Sequence, residues 1–279
     1  MSPRLLILLL LLLPSATRAH HGQDFLVTLD AGVPRPGHFT AFASFEWSKS
    51  GDTDELSLEP GFMAGLLPGL ALGTSFRLAD EGPGGWDYTA VDPQLQWTLP
   101  TGDLPVSFAF SAGYAFADGS AAHGHAGAVH QHVDDGGGID PGPDGPPPGA
   151  DTGGHVHLHD HGHSHGGIHR HGEDHFHFRF IADTNLGEST RLVLNLIGVA
   201  PGSGEVDFGY SFGIRQRLSH DWAVGLENIG DFNRHGENEL IAGLYWTPVH
   251  DCTVRLGLGA GIGAASTDFS VRSGITWRF

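Results

Sequence analysis

From Val106 to Phe116 the chain alternates without a break. Val106, Phe108, Phe110, Ala112, Tyr114 and Phe116 hold the even positions; Ser107, Ala109, Ser111, Gly113 and Ala115 hold the odd ones. A period of two is that of a β-strand whose two faces meet different surroundings. The pattern returns in Val206–Arg215, Glu239–Trp246, Val254–Gly259 and Asp268–Phe279, and in Phe176, Phe178 and Phe180 set against His175, His177 and Arg179. A soluble sandwich also alternates, with its polar face in water. Here one face carries large aromatics and the other glycine, serine and charge, which suits lipid outside and a wet lumen inside. Strands of about ten residues match a membrane barrel. Backbone groups in lipid must all be paired, so such a sheet has to close. The expected fold class is all-β, a transmembrane antiparallel β-barrel of about 12 strands.

Counting back from the C-terminus places strands near 266–279, 251–262, 237–248, 220–230, 204–218, 189–199, 174–184, 104–117, 86–99, 69–80, 54–64 and 38–48. Asp24–Ala31 is a further strand candidate, but residues 20–37 read as an N-terminal segment in the periplasm. With the C-terminus also there, alternate links are short turns: Leu66–Gly69, Pro100–Asp103, Asn185–Glu188, Ser219–Asp221 and Pro248–Asp251. The other links, such as Ser48–Asp54, Ala79–Gly85 and Asp231–Asn238, are more polar and on the whole longer. The barrel therefore spans 38–279 and is interrupted at 118–173, a link that falls outside the cell.

Residues 1–19 read as a signal peptide. Arg4 precedes the apolar run Leu5–Leu13, and Thr17-Arg18-Ala19 is a small-residue cleavage site. That run is too short to span a bilayer as a helix. Cys252 is the single cysteine, so no intramolecular disulfide forms. A formal charge of −18 makes nucleic acid an implausible partner.

The signal peptide, the aromatic alternation and a terminal strand ending in Phe279 together resemble bacterial outer-membrane β-barrel proteins. In that class a C-terminal phenylalanine with alternating apolar partners, here Ile275 and Trp277, is the signal read by the barrel-assembly machinery. The resemblance implies the outer membrane as the location, with its lipid bilayer and that machinery as partners. Turns such as Leu67–Gly73 and Pro100–Pro105 resemble those of the outer-membrane channel family labelled for a phenol-degradation pathway. That family brings no catalytic motif, and no enzyme activity is expected. The histidine insert departs from its pattern.

Residues 118–173 are of low complexity. His123, His125, His130 and His132 open the stretch, and Asp134–Gly154 is glycine, proline and aspartate, a composition that favours disorder. His155, His157, His159, His161, His163, His165, His169 and His171 follow, and His175 and His177 continue the series into a strand. Neutral imidazole suits zinc, copper and nickel, and a flexible histidine-dense chain supplies the roughly four ligands zinc needs in many combinations. The run resembles the histidine-rich loops of zinc and nickel transporters in composition. No His-Glu-x-x-His and no paired Cys-x-x-Cys occurs, so no catalytic metal and no obligatory cofactor is indicated. A pH response is a third reading of the same histidines, since protonation also ejects metal.

Arg77, Arg179, Asp207, Arg215, Arg217, Glu227, Glu239, Arg255, Asp268 and Arg272 are the expected lumen charges. The leading expectation is a channel whose external loop captures divalent transition metal. A surface metal buffer on a closed barrel, and a general small-solute channel with an incidental loop, stand beside it. N-terminal sequencing of the membrane-purified protein should read His20-His21-Gly22; a chain still starting at Met1 would mean an uncleaved anchor.

Overall fold

The computed structural model describes residues 23–51, 53–80, 88–102, 104–118, 174–201, 206–232, 238–262 and 266–279. Twelve strands run in chain order: β1 (Phe39–Ser50), β2 (Thr53–Leu67), β3 (Leu70–Asp80), β4 (Tyr88–Leu99), β5 (Val106–Ala117), β6 (His175–Leu186), β7 (Thr190–Pro201), β8 (Asp207–Arg217), β9 (Trp222–Asp231), β10 (Asn238–Val249), β11 (Cys252–Gly261) and β12 (Phe269–Arg278). Each pairs antiparallel with its sequence neighbours, and β1 pairs with β12 from Thr40↔Arg278 to Lys49↔Phe269, so the sheet is a closed barrel.

The alternation sorts as the sequence predicts. Phe108 to Phe116 point outward, whereas Ala109, Ser111 and Ala115 are buried on the inner face. The outer face is apolar over its whole girth. Trp97, Trp222, Trp246, Trp277, Phe39 and Phe279 gather at the end that holds the C-terminus. Phe39 stacks on Phe279 at 4.4 Å and Trp222 on Trp246 at 5.7 Å. Tyr114, Phe116, Phe176 and Phe208 are exposed near the other end. Two aromatic girdles flanking an apolar band are what a bilayer's two interfaces select.

The links differ from expectation in one place. Ser48–Asp54 was grouped with the longer links, yet only residues 51–52 separate β1 from β2. The reason is local: Gly51 adopts φ +58°, which a glycine takes at no steric cost.

The N-terminal segment departs most from the sequence reading. Residues 23–33 do not lie outside in the periplasm; they are inside the barrel. Phe25, Leu29, Ala31 and Val33 are buried there, with Asp24 and Asp30 beside them. The chain enters past the isolated bridge Pro36↔Gly65 at the C-terminal end. Two groups of side chains hold it. Glu227 of β9 accepts the amides of Leu26 at 2.6 Å and of Val27 and Thr28 at 2.9 Å, and also takes the Tyr245 hydroxyl at 2.6 Å. Arg191 of β7 donates to Asp24 at 2.8 Å and to Asp183 at 2.5 Å, and pairs with Asp30 at 3.3 Å. Arg278 also binds Asp24, and Arg215 lies 3.6 Å from it.

Backbone accounting explains the conformation. The segment forms no strand pairing of its own, so its polar groups must find side chains. Asn195 exchanges two bonds with Leu29, at 2.9 and 2.8 Å, and Gln96 donates to the carbonyls of Asp30 and Gly32. Inward glycines make the room. A Cβ on Gly213 would sit 2.8 Å from the Phe25 ring. Phe25 in turn meets Tyr245 edge-on at 6.2 Å, with Arg191 and Arg215 over its ring at 5.7 and 5.4 Å.

Removing one partner of a buried ion group costs about 3–5 kcal/mol. Arg191→Ala strips the shared cation from Asp24, Asp30 and Asp183, and should unseat the segment. Single-channel recording in a planar bilayer should then show a larger conductance, with the barrel still folded by heat-modifiable migration. A trace as quiet as wild type would contradict this account of the seat.

Candidate functional site

Above the N-terminal segment the lumen stays open. Gln23, Phe25 and Leu26–Leu29 form the floor of a cavity of about 250 Å³ that faces the end where residues 118–174 link β5 to β6. The cavity forms a vestibule above the N-terminal segment. Its walls carry acid and base in nearly equal number, mostly as pairs.

The pairs arise because inward side chains of adjacent strands stand opposite one another. Glu59 of β2 accepts from Arg77 at 3.0 Å and from the Ser75 hydroxyl at 2.7 Å, both on β3. Arg272 of β12 meets Glu46 of adjacent β1 at 2.5 Å and reaches across β11 to Glu239 of β10 at 2.6 Å. Asp92 of β4 meets His177 of β6 at 2.8 Å across β5. That contact crosses a strand because Gly113 lies between; a Cβ there would be 2.5 Å from the His177 ring nitrogen. Arg255 is drawn to the floor instead, donating to the carbonyls of Gln23 and Phe25.

The expected site residues fall into several groups. His175, His177, Arg77, Arg179, Glu239, Arg255 and Arg272 line the vestibule together. Glu227 and Arg215 face inward below it and hold the N-terminal segment. Asp207 stands at the start of β8 in register with Val199. Two lumen expectations are corrected: Arg217 is exposed at the C-terminal rim, donating to the Glu188 carbonyl at 2.6 Å, and Asp268 lies before β12 on the opposite rim, accepting the Gly51 amide at 2.8 Å. Both share the inner parity but sit past the last turn of lumen. Ile275, Trp277 and Phe279 are exposed on the outer face.

His123, His125, His130, His132, His155, His157, His159, His161, His163, His165, His169 and His171 lie outside the described residues. His220 and His250 lie at turns, are exposed, and each contacts the neighbouring aspartate. Among the described residues no group of three or more His, Cys, Asp or Glu side chains is arranged to hold a metal ion.

Sequence reading missed Glu46, Glu59 and Asp92 in the vestibule, and Asp24, Asp30, Asp183, Arg191 and Arg278 around the N-terminal segment. Parity alone would have found several. Glu55, Ser57 and Glu59 alternate with Leu56, Leu58 and Pro60, and Arg191, Val193 and Asn195 share one face of β7. What parity could not give is the partner, because the partner of Arg191 is a segment that belongs to no strand.

No family profile matches the chain, and no curated protein sequence aligns with it. Solved structures do match in fold. An outer-membrane channel from Pseudomonas putida F1 superposes with a TM-score of 0.55 at 10% identity, covering 90% of this chain and 98% of that one. The KdgM porin gives 0.53 at 8% identity, covering 86% and 99%. A KdgM porin in complex with disordered oligogalacturonate gives 0.52 at 7% identity, covering 87% and 99%. The chain has the fold of outer-membrane channel proteins.

In a barrel lacking residues 20–33, ion selectivity reports the vestibule walls. Arg272→Ala leaves Glu46 and Glu239 without their shared cation. The reversal potential in a KCl gradient should move toward cation preference; no movement would mean that these side chains do not face the ion path.

Proposed function

We propose that the protein is an outer-membrane channel that gathers divalent transition metal at its outer mouth and is shut at rest by its own N-terminal segment. Export by a cleaved signal peptide and insertion by the barrel-assembly machinery through the strand ending in Ile275, Trp277 and Phe279 belong to the same reading. The apolar girdled exterior and the shared fold of known channels support the membrane placement.

One observation carries the metal part. The histidine series leads directly into β6, and its last two members, His175 and His177, line the vestibule wall. A metal ion held by the segment in one of many exchanging ligand sets would therefore meet imidazole again on the way in, next to the Asp92 carboxylate. Zinc, copper and nickel fit this donor set. Metal is cargo here, not a resident cofactor, and among the described residues the vestibule holds no preformed cage.

The filled lower lumen favours a second reading, a surface metal buffer on a barrel that never conducts. The two separate cleanly. Zinc, copper and nickel should bind at several sites to the detergent-refolded protein, and deletion of 119–172 should abolish most of that binding. If metal also changes the conductance of the intact protein, the channel reading holds; if binding occurs with no conductance under any metal load, the buffer reading replaces it. Full metal binding after the deletion would refute both.

A further inference from the structure

Arg179 is set apart from the other vestibule arginines. It points from β6 into the cavity, half-buried, and among the described residues it donates no hydrogen bond and joins no ion pair. Its charged neighbours are Asp92, Glu59 and Arg77. Their carboxylates are already engaged, Asp92 by His177 and Glu59 by Arg77 and Ser75. A guanidinium brings five donors in a rigid fork that matches a carboxylate bidentately. Here that fork faces open space.

Among the described residues, one polar group beside Arg179 and one in the floor lack a partner. The Ser111 hydroxyl, in register beside Arg179 on β5, is buried without a partner, and so is the Thr28 hydroxyl in the cavity floor. A buried polar group left unpaired calls for an explanation. On its other side Arg179 is in register with Ile197 of β7, and His177 with Val199. Those residues join Ile229 and Ile241 in an apolar patch against which Leu26 and Val27 of the floor pack. The arginine thus stands on a boundary, with unfilled donors on one side and aliphatic surface on the other.

We propose that the vestibule binds small monocarboxylates with an apolar body, the carboxylate on Arg179 and the body against Ile197, Val199 and Ile229. Sulfate or phosphate would use the fork but waste the aliphatic wall, and a neutral alcohol would use the wall but leave the fork unfilled. A cavity of about 250 Å³ suits a solute smaller than the drug-sized ligands that fill roughly 300–1,000 Å³. The proposal needs no metal and does not depend on the histidine-rich segment.

Hexanoate is the probe, with hexan-1-ol and sulfate as controls at constant ionic strength. Calorimetric titration of the full-length protein in detergent should show saturable hexanoate binding and weak or no binding of either control. Arg179→Gln should weaken hexanoate roughly tenfold to a hundredfold, since it removes a charge-assisted pair. Arg217→Gln, at the opposite rim, should leave affinity unchanged. Wild-type protein supplies an independent reading through phenylglyoxal modification read by mass spectrometry: hexanoate should slow modification of Arg179 and not of Arg217. Absence of saturable binding, equal binding of hexan-1-ol, unchanged affinity in Arg179→Gln, or no protection of Arg179 would each overturn the proposal. Loss of metal binding on deleting 119–172, with hexanoate binding intact, would leave both this site and the metal reading standing.

Discussion

A strand in lipid has nowhere to put an unpaired amide. Water satisfies such groups at the edge of a soluble sheet, but in hydrocarbon each costs several kcal/mol. The pairing of β1 with β12 answers that constraint, and most of the architecture follows from it. Closure forces neighbour to pair with neighbour around the ring. It fixes parity for the whole chain, because a slip of one residue would turn Phe108 inward and Ser111 into the bilayer. It also leaves a lumen too wide for the inner side chains to fill alone, since so many of them are glycine, alanine and serine.

The N-terminal segment fills the lower part of that space, and it is held there largely by ions. Asp24, Asp30 and Asp183 face Arg191, Arg215 and Arg278, while Glu227 gathers consecutive amides. An apolar filler of the same volume would give up less desolvation energy. It would also leave an aliphatic tube behind whenever it withdrew. A charged seat fixes the segment in one position by geometry, because carboxylates and guanidinia must meet atom for atom, and it leaves a wettable wall if the segment departs. Aliphatic contacts gather on the inner rows around Ile181, Val193, Ile197 and Ile229, which take up Phe25, Leu29, Leu26 and Val27, and beside Met63 and Ala71, which take up Val33.

The contrast between strands and segment also marks what was legible in the sequence. All twelve strands, their order and the two faces follow from a period of two, since each strand is read by the same rule and closure checks the count. The position of the histidine series between β5 and β6 follows from counting alone. Asp24–Ala31 was misplaced because a segment bonded to side chains has no period. Its apolar residues Phe25, Leu29 and Val33 are spaced by the lumen's irregular wall, and its ligands on the wall lie from 64 to 254 residues away in the chain. Arg217 and Asp268 failed for a smaller reason: parity says which face a side chain takes, not how far along the barrel axis it sits.

The two halves of the lumen obey opposite rules. Below, buried donors and acceptors largely find each other through the N-terminal segment, and the result is a closed core. Above, the pairings run out before the donors do. Glu46, Glu59, Asp92 and Glu239 each hold a cation or imidazole, yet among the described residues Arg179 and the Ser111 hydroxyl are left over. A fold under selection for stability alone would have little reason to keep a guanidinium beside an aliphatic patch, since replacing it with a leucine would extend that patch at no cost in hydrogen bonds. Its presence on the same row as His175 and His177 gathers the surplus chemistry on one wall of the vestibule, above the floor formed by the N-terminal segment.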